Sequence, residues 1–198
     1  SIAPMLDLDQ PGKPLKKPEA YLESLQKRCD AASAIRGGIL FDSTGAEPNN
    51  NATAQVGWML GGGLTLPKPV KITTTVPTLK CKGAKKNKAS LVDASAGYLA
   101  QQLVDSKGAL PYGGGYPGVD YAGTASATLA LAEAGAGRKA VRQAVSTLKK
   151  NARTWIAASG DDSPGSIALL ILVAKATGEN PRDFGGLNLY SLLNKTRQ

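Results

Sequence analysis

Thr124-Ala-Ser-Ala-Thr-Leu-Ala-Leu-Ala-Glu-Ala-Gly135 is the stretch on which the reading of the fold turns. Alanine costs less in a helix than any other residue. A run of alanine, serine and threonine therefore makes a slim helix that its neighbours can approach closely, and Gly135 marks its end. Pro164 to Gly178 has the same plan: Ser163-Pro164 supplies a hydroxyl cap and a first-turn proline, and Gly178 closes the helix. An amphipathic segment precedes each slim one. Leu91, Ala94, Tyr98, Leu99 and Leu103 keep helical spacing in the first, opened by Ser90 and Asp93 in a capping-box arrangement with Asp in place of Glu. Ala140, Val141, Ala144, Val145 and Leu148 share one face of the second.

Outward from these pairs the order recurs. Tyr21–Arg28, a long loop and then Ala52–Gly63 form a more divergent first unit, and Leu187 to Leu193 a last short helix. The second helices are spaced by about 42 residues in the later units and about 71 in the earlier, a period of stacked helix pairs in an array or toroid. The predicted class is thus mainly α, with helix-pair repeats and small-residue helices on the inside. Four regions follow: a proline-rich arm at 1–18, a divergent pair at 19–63, a Pro/Lys-rich insert at 64–89, and helix-pair repeats at 90–198. The arm carries Pro4, Pro11, Pro14 and Pro18 and cannot be one helix. A helix is expected from Pro18 or Glu19, stopped by Gly37-Gly38 at the latest. Within the insert, Lys71-Ile-Thr-Thr-Thr-Val76 alternates and is β-branched, which predicts a strand or hairpin arm in a segment otherwise irregular.

Composition narrows the function classes. Aromatic residues make up 5% and glycines number 23, which suits packed helices and not a β-sandwich. The formal charge is +9, from 24 Lys and Arg against 15 Asp and Glu, and favours anionic partners. Lys80, Lys82, Lys85, Lys86 and Lys88 crowd together after Lys68 and Lys71, the pattern of a solvated loop. No aromatic residue interleaves with them to stack on bases, so nucleic acid is disfavoured. The absence of histidine removes the Ser-His-Asp and Cys-His arrangements and every histidine-ligated zinc site. Two cysteines cannot form a four-thiolate site, and no cofactor or metal is called for. Cys29 and Cys81 are read as a disulfide, contributing on the order of 4 kcal/mol in the chain-entropy model, with two free thiols as the alternative. Lysine and arginine beside both sulfurs would make free thiols easily oxidised, which points to an oxidising compartment. A chain starting at Ser1 with no apolar leader reads as a mature or trimmed form, and the cysteines place it as secreted or at the cell surface. Ile167 to Ala174, the most apolar run, is too short to span a bilayer. Asn51-Ala-Thr53 and Asn194-Lys-Thr196 match the glycosylation sequon, which matters only in a eukaryotic source.

Ala96-Gly-Tyr-Leu-Ala-Gln-Gln-Leu103, Val119-Asp-Tyr-Ala-Gly-Thr124 and Thr128-Leu-Ala-Leu-Ala-Glu-Ala-Gly135 resemble the repeat of the terpenoid cyclase and protein prenyltransferase α/α toroids. They are most similar to the secreted actinobacterial branch, whose members are often cell-wall associated. Asn180-Pro-Arg-Asp-Phe-Gly-Gly-Leu187 resembles the linker after a helix pair there. The likeness covers about residues 90–195, extends loosely to 19–63, and leaves out the arm and the Lys-rich insert. It implies an α/α toroid in which either the ring is incomplete, or the chain is a piece of a longer one, or an oligomer or another chain completes it. The family's chemistry does not carry over. The D-x-D-D acid motif is missing, since Asp161-Asp162 follow Gly160 and lack the leading aspartate. A prenyltransferase zinc needs a histidine, and an aromatic lining for carbocations is thin with two Trp and two Phe.

The most distinctive loop is Leu110-Pro-Tyr112-Gly-Gly-Gly-Tyr116-Pro-Gly-Val-Asp120-Tyr121. Tyr112, Tyr116 and Tyr121 on a glycine and proline frame suit a ligand- or glycan-contacting lip with Asp120 as polar anchor, or else tyrosines packed on helix ends. Asp161 and Asp162 read as paired carboxylates for acid/base work or calcium, or more simply as charges favouring the next helix's N-terminus. With Asp120 they are weak catalytic candidates. Trp58 and Trp155 stand among apolar neighbours and are read as core; Asn49–Asn51 with Asp42 form a turn-rich connection. The expected function is a non-catalytic secreted or cell-envelope module that binds or scaffolds an anionic envelope polymer, a glycan or another protein. The alternatives are a carboxylate-dependent enzyme on polysaccharide, and a partner-binding or inhibitor subunit using the arm. Two of the carboxyls about 5–10 Å apart in an open cleft would favour the enzyme.

Overall fold

The computed structural model describes residues 18–60, 69–79, 81 and 89–197. Seven α-helices lie among them: α1 (Pro18–Leu25), α2 (Asn50–Leu60), α3 (Leu91–Asp105), α4 (Tyr121–Glu133), α5 (Arg138–Ile156), α6 (Pro164–Thr177) and α7 (Leu189–Lys195). The described residues hold no β-strand, only isolated bridges such as Gln26 with Ile39 and Pro111 with Val119. None of these helices is long and apolar enough to cross a membrane.

Local chemistry sets the ends. Ser90 Oγ accepts from Asp93 N at 3.0 Å and starts α3. Ser163 Oγ accepts from Ser166 N ahead of Pro164, and α6 ends at Gly178, whose φ of +76° suits a residue without Cβ. The expected face of α5 is its buried stripe: Ala140, Val141, Ala144, Val145, Leu148, Ala152 and Ile156. The small-residue helix α4 is different, because side chains are buried all round it, from Gly123 to Ala132.

That burial follows from position. α4 touches α2, α3, α5 and α6. α2, α4 and α6 succeed one another in contact as one row, while α3 and α5 touch each other and pack on that row as a second. Small residues let the first row close up. A Cβ built on Gly57 of α2 would lie 3.2 Å from Ala130 Cβ of α4. One apolar cluster runs through α2 to α7, with Leu99, Leu103, Leu129, Leu131, Leu148, Ile167, Leu170 and Phe184 essentially sealed. A smaller one, Leu22, Leu25, Ile39, Leu40, Val56 and Leu91, lies under α1. Buried Gln26 joins it to α3 by donating to Leu91 O at 3.0 Å and Gly37 O at 3.1 Å.

One expectation holds within its limit and another is revised. The first helix ends at Leu25, well before Gly37, because the chain doubles back there: Lys27 N donates to Gly38 O, and Leu40 N to Leu25 O. Lys71–Val76 is extended without forming a strand. Thr73 N donates to Gly135 O, Arg138 N to Thr73 O and Gly137 N to Thr75 O, so its partner is the short α4–α5 turn, which offers no ladder. Cys29 and Cys81 stand at disulfide distance, their Cα atoms 5.5 Å apart. The arm from 1 to 17, the glycines at 61–63 and Lys68, Lys80, Lys82, Lys85, Lys86 and Lys88 lie outside the described residues.

Candidate binding site

The N-termini of α2 and α4 meet where the cap of α4 bonds the first turn of α2. Asp120 is 6% exposed; its Oδ1 accepts from Gly123 N at 2.7 Å and its Oδ2 from Asn51 Nδ2 at 3.0 Å. Asp120 is thus the N-cap of α4, and the helix begins at Tyr121, earlier than the expected Thr124. Asn49 caps α2 in the same way, its Oδ1 accepting from Ala52 N at 2.9 Å. The neck of the 110–120 loop is held by Asp120 N donating to Leu110 O at 2.8 Å and Leu110 N donating to Thr124 Oγ1 at 3.1 Å. Beyond the neck the tip projects. Tyr112 is 46% and Tyr116 74% exposed, on either side of the turn Gly113–Gly115.

Tyr121 does something else. Its ring stacks on Trp155 in the last turn of α5, with centroids 5.9 Å apart and planes at 30°. The three tyrosines of the loop therefore differ in their surroundings. Tyr121 packs against a helix end, while Tyr112 and Tyr116 stay in water. Trp155 and Trp58 are both partly buried against the main core.

Sequence reasoning passed over two members of this surface. Tyr21 and Phe41 are 47% and 76% exposed, and with Asn49, Asn51 and Gln55 they line a cavity of about 260 Å³. Asn49 also faces Gly113 of the tyrosine loop, so it joins the cavity to the lip. A signal for Phe41 existed: a lone aromatic between Leu40 and Asp42-Ser-Thr-Gly has no helical or strand face to bury it.

The carboxylates do not assemble. Asp162 pairs with Arg153, Asp161 is exposed, and Ser163 rather than either aspartate caps α6. Asp120 has both oxygens occupied and almost no exposure. No group of three or more His, Cys, Asp or Glu able to hold a metal occurs among the described residues. No known protein family, characterised protein or solved structure matches this chain. What the site offers is exposed aromatic rings, side-chain amides and a shallow cavity on one end of the helix rows.

Proposed function

We propose that this chain is a non-catalytic secreted or cell-envelope module of the α/α-toroid type, which binds a glycan across the tyrosine lip. The two rows of helices, slim ones against slim ones and amphipathic ones against each other, support an arc of such a toroid. The cysteine pair at disulfide distance and the lack of a membrane-crossing helix among the described residues are compatible with a secreted protein. The observation that carries the binding reading is the exposure of Tyr112 and Tyr116 on a neck that is itself rigid. Aromatic faces cover the apolar faces of sugar rings, and neighbouring Asn49, Asn51 and Gln55 supply amide donors and acceptors for hydroxyls. Asp120 caps α4 and Asp162 pairs with Arg153, so the polysaccharide-enzyme alternative lacks the free pair expected among Asp120, Asp161 and Asp162.

Isothermal titration with soluble N-acetylglucosamine oligomers and with solubilised wall polysaccharide tests this. Two stacking rings contribute about 1–3 kcal/mol together, so the Tyr112→Ala, Tyr116→Ala double variant should bind about 5- to 150-fold more weakly. Undiminished binding in that variant would remove the lip from the reading. Release of new reducing ends during incubation would replace it with catalysis.

A further inference from the structure

At the far end of α4 from the lip, a groove of about 590 Å³ opens between residues 70–72, the outer side of α5 and the end of α6. Val141, Val145, Ile72 and Val70 give it an apolar floor and wall. Arg138, Arg142 and Ser146 border it at intervals of four residues, and so stand in line along α5. The whole of α5 carries six basic residues and no acidic one. Its positive N-terminal end, at Arg138, therefore meets no compensating charge in its own first turn.

The charges of the groove are not all engaged within the fold. Lys149 Nζ is held by Glu179 Oε2 at 2.8 Å and lies 5.8 Å above the Phe184 ring, so that pair is neutral. Arg138 Nε donates to Ile72 O at 2.8 Å, which fixes the guanidinium and leaves its two terminal nitrogens to donate elsewhere. The Arg142 side chain is exposed and makes no hydrogen bond or ion pair with the described residues. Val70, 43% exposed, is the one large exposed apolar residue outside the aromatic lip and its cavity among the described residues.

We propose that this groove binds an amphiphilic anion. A phosphate or carboxylate head takes Arg138 and Arg142 as a forked pair, with the Ser146 hydroxyl as a third donor. A short apolar body covers the exposed Val70 and the half-buried Ile72, with the buried Val141 and Val145 as the floor. The volume falls in the range of small-ligand sites, about 300–1,000 Å³. Charge alone would suit a bare anion or a polyanion, but neither covers Val70 and Ile72. The apolar wall is what selects a tail.

Titration of the protein with n-octyl phosphate, inorganic phosphate and n-octyl glucoside, followed by amide chemical shifts of α5, decides the matter. Octyl phosphate should bind at least tenfold more tightly than either half-match and shift residues 138–149. Arg142→Glu should weaken it at least tenfold and Val70→Ser several-fold. Both positions are exposed, so unchanged melting curves confirm the fold. Lys150→Ala, on exposed α5 surface outside the groove, and Tyr112→Ala should have no effect. Equal affinity for inorganic phosphate or for the glucoside would overturn the proposal, as would undiminished binding in Arg142→Glu. Co-sedimentation with phosphatidylglycerol vesicles distinguishes the source of the head group. Sedimentation lost in Arg142→Glu assigns it to a membrane lipid. Octyl phosphate binding without sedimentation assigns it to a soluble amphiphile. Either result upholds the site.

Discussion

Replacing Asp120 with alanine separates a cap from a ligand anchor. The wild-type carboxylate accepts from Gly123 N and Asn51 Nδ2 while 6% exposed, so the substitution removes two bonds from the junction of α2 and α4. Loss of an N-cap costs about 1 kcal/mol, and loss of a negative charge at a helix N-terminus about 0.5 kcal/mol more. The Asn51 amide loses a charge-assisted bond of about 1.5 kcal/mol, partly recovered because Asn51 is exposed and can be hydrated. The sum is about 2–3 kcal/mol. For a chain of this size that lowers Tm by about 5–10 °C. Because α4 contacts four other helices, the loss should appear as a single cooperative shift and not as local fraying. Circular dichroism melting gives the shift, and Trp155 fluorescence follows the same junction through the Tyr121 stack. Asp120→Asn keeps an oxygen toward Gly123 N and should cost about 1 kcal/mol or less. An Asp120→Ala protein that melts within about 1 °C of the parent yet no longer binds glycan would refute this reasoning, since the cap would then contribute less than about 0.5 kcal/mol.

Three further outcomes are expected. Serine at both Cys29 and Cys81 releases a crosslink across 52 positions and should lower stability by about 4 kcal/mol in urea unfolding, while alkylation of the unreduced protein should modify neither cysteine. Two alkylated thiols would remove the bond. Burial first, and Glu47 second, push the Tyr98 phenol up from 10.0 to about 12. The folded state keeps a proton that the unfolded chain gives up, so this contribution is full below about pH 10 and falls by on the order of 2 kcal/mol as pH rises through about 12. Tyr98→Phe should flatten urea-derived stability between pH 9 and 11, and equal slopes for both proteins would count against the assignment. A Cβ at Gly97 would collide with the Pro77 carbonyl, so Gly97→Ala should lift residues 75–79 off α3, at a cost of about 1–3 kcal/mol, and expose them to limited proteolysis. An unchanged digestion pattern would show that the approach is not close.

What could be read from the sequence is what the chain decides locally. Ser90, Ser163-Pro164 and Gly178 act on backbone groups within four residues, and each stands at the boundary its chemistry indicates. The stripe of α5 was legible because a 3.6-residue period reports burial directly. Asp120 shows the limit. It lies three residues before the Gly123 amide it accepts from, so the capping signal was local, but the tyrosines around it suggested a ligand instead. Lys71–Val76 failed for a longer-range reason. β-branched alternation describes an extended backbone, whereas a strand also needs a partner, and the partner here is a turn more than sixty residues away. Phe41 carried a local signal for exposure, but its place beside the cavity depends on how residues 39–41 settle against α2.

The ends of the helix rows bear on where a ligand can go. Stacked pairs leave an apolar face at each end unless something different covers it. Here α1 and residues 39–40 close the side next to α2 and α3, through Leu22, Leu25, Ile39 and Leu40 against Val56 and Leu91. At the other side α7 lies on α6, with Leu189 buried, Leu192 and Leu193 half-buried, and Ser191, Asn194 and Lys195 turned outward. Among the described residues, both sides of the helix rows are thus covered by non-repeating elements. The large apolar side chains exposed among the described residues are Tyr21, Phe41, Val70, Tyr112 and Tyr116. Four of them belong to the lip and its cavity, and the fifth to the basic groove. Apolar surface that packing does not require is thereby concentrated in two places of different chemistry, neutral and aromatic at the start of α4, cationic and aliphatic beyond its end. A ligand that combined a glycan with an anionic amphiphile would engage both, and occupancy of either site should then raise affinity at the other only when the two groups are covalently joined.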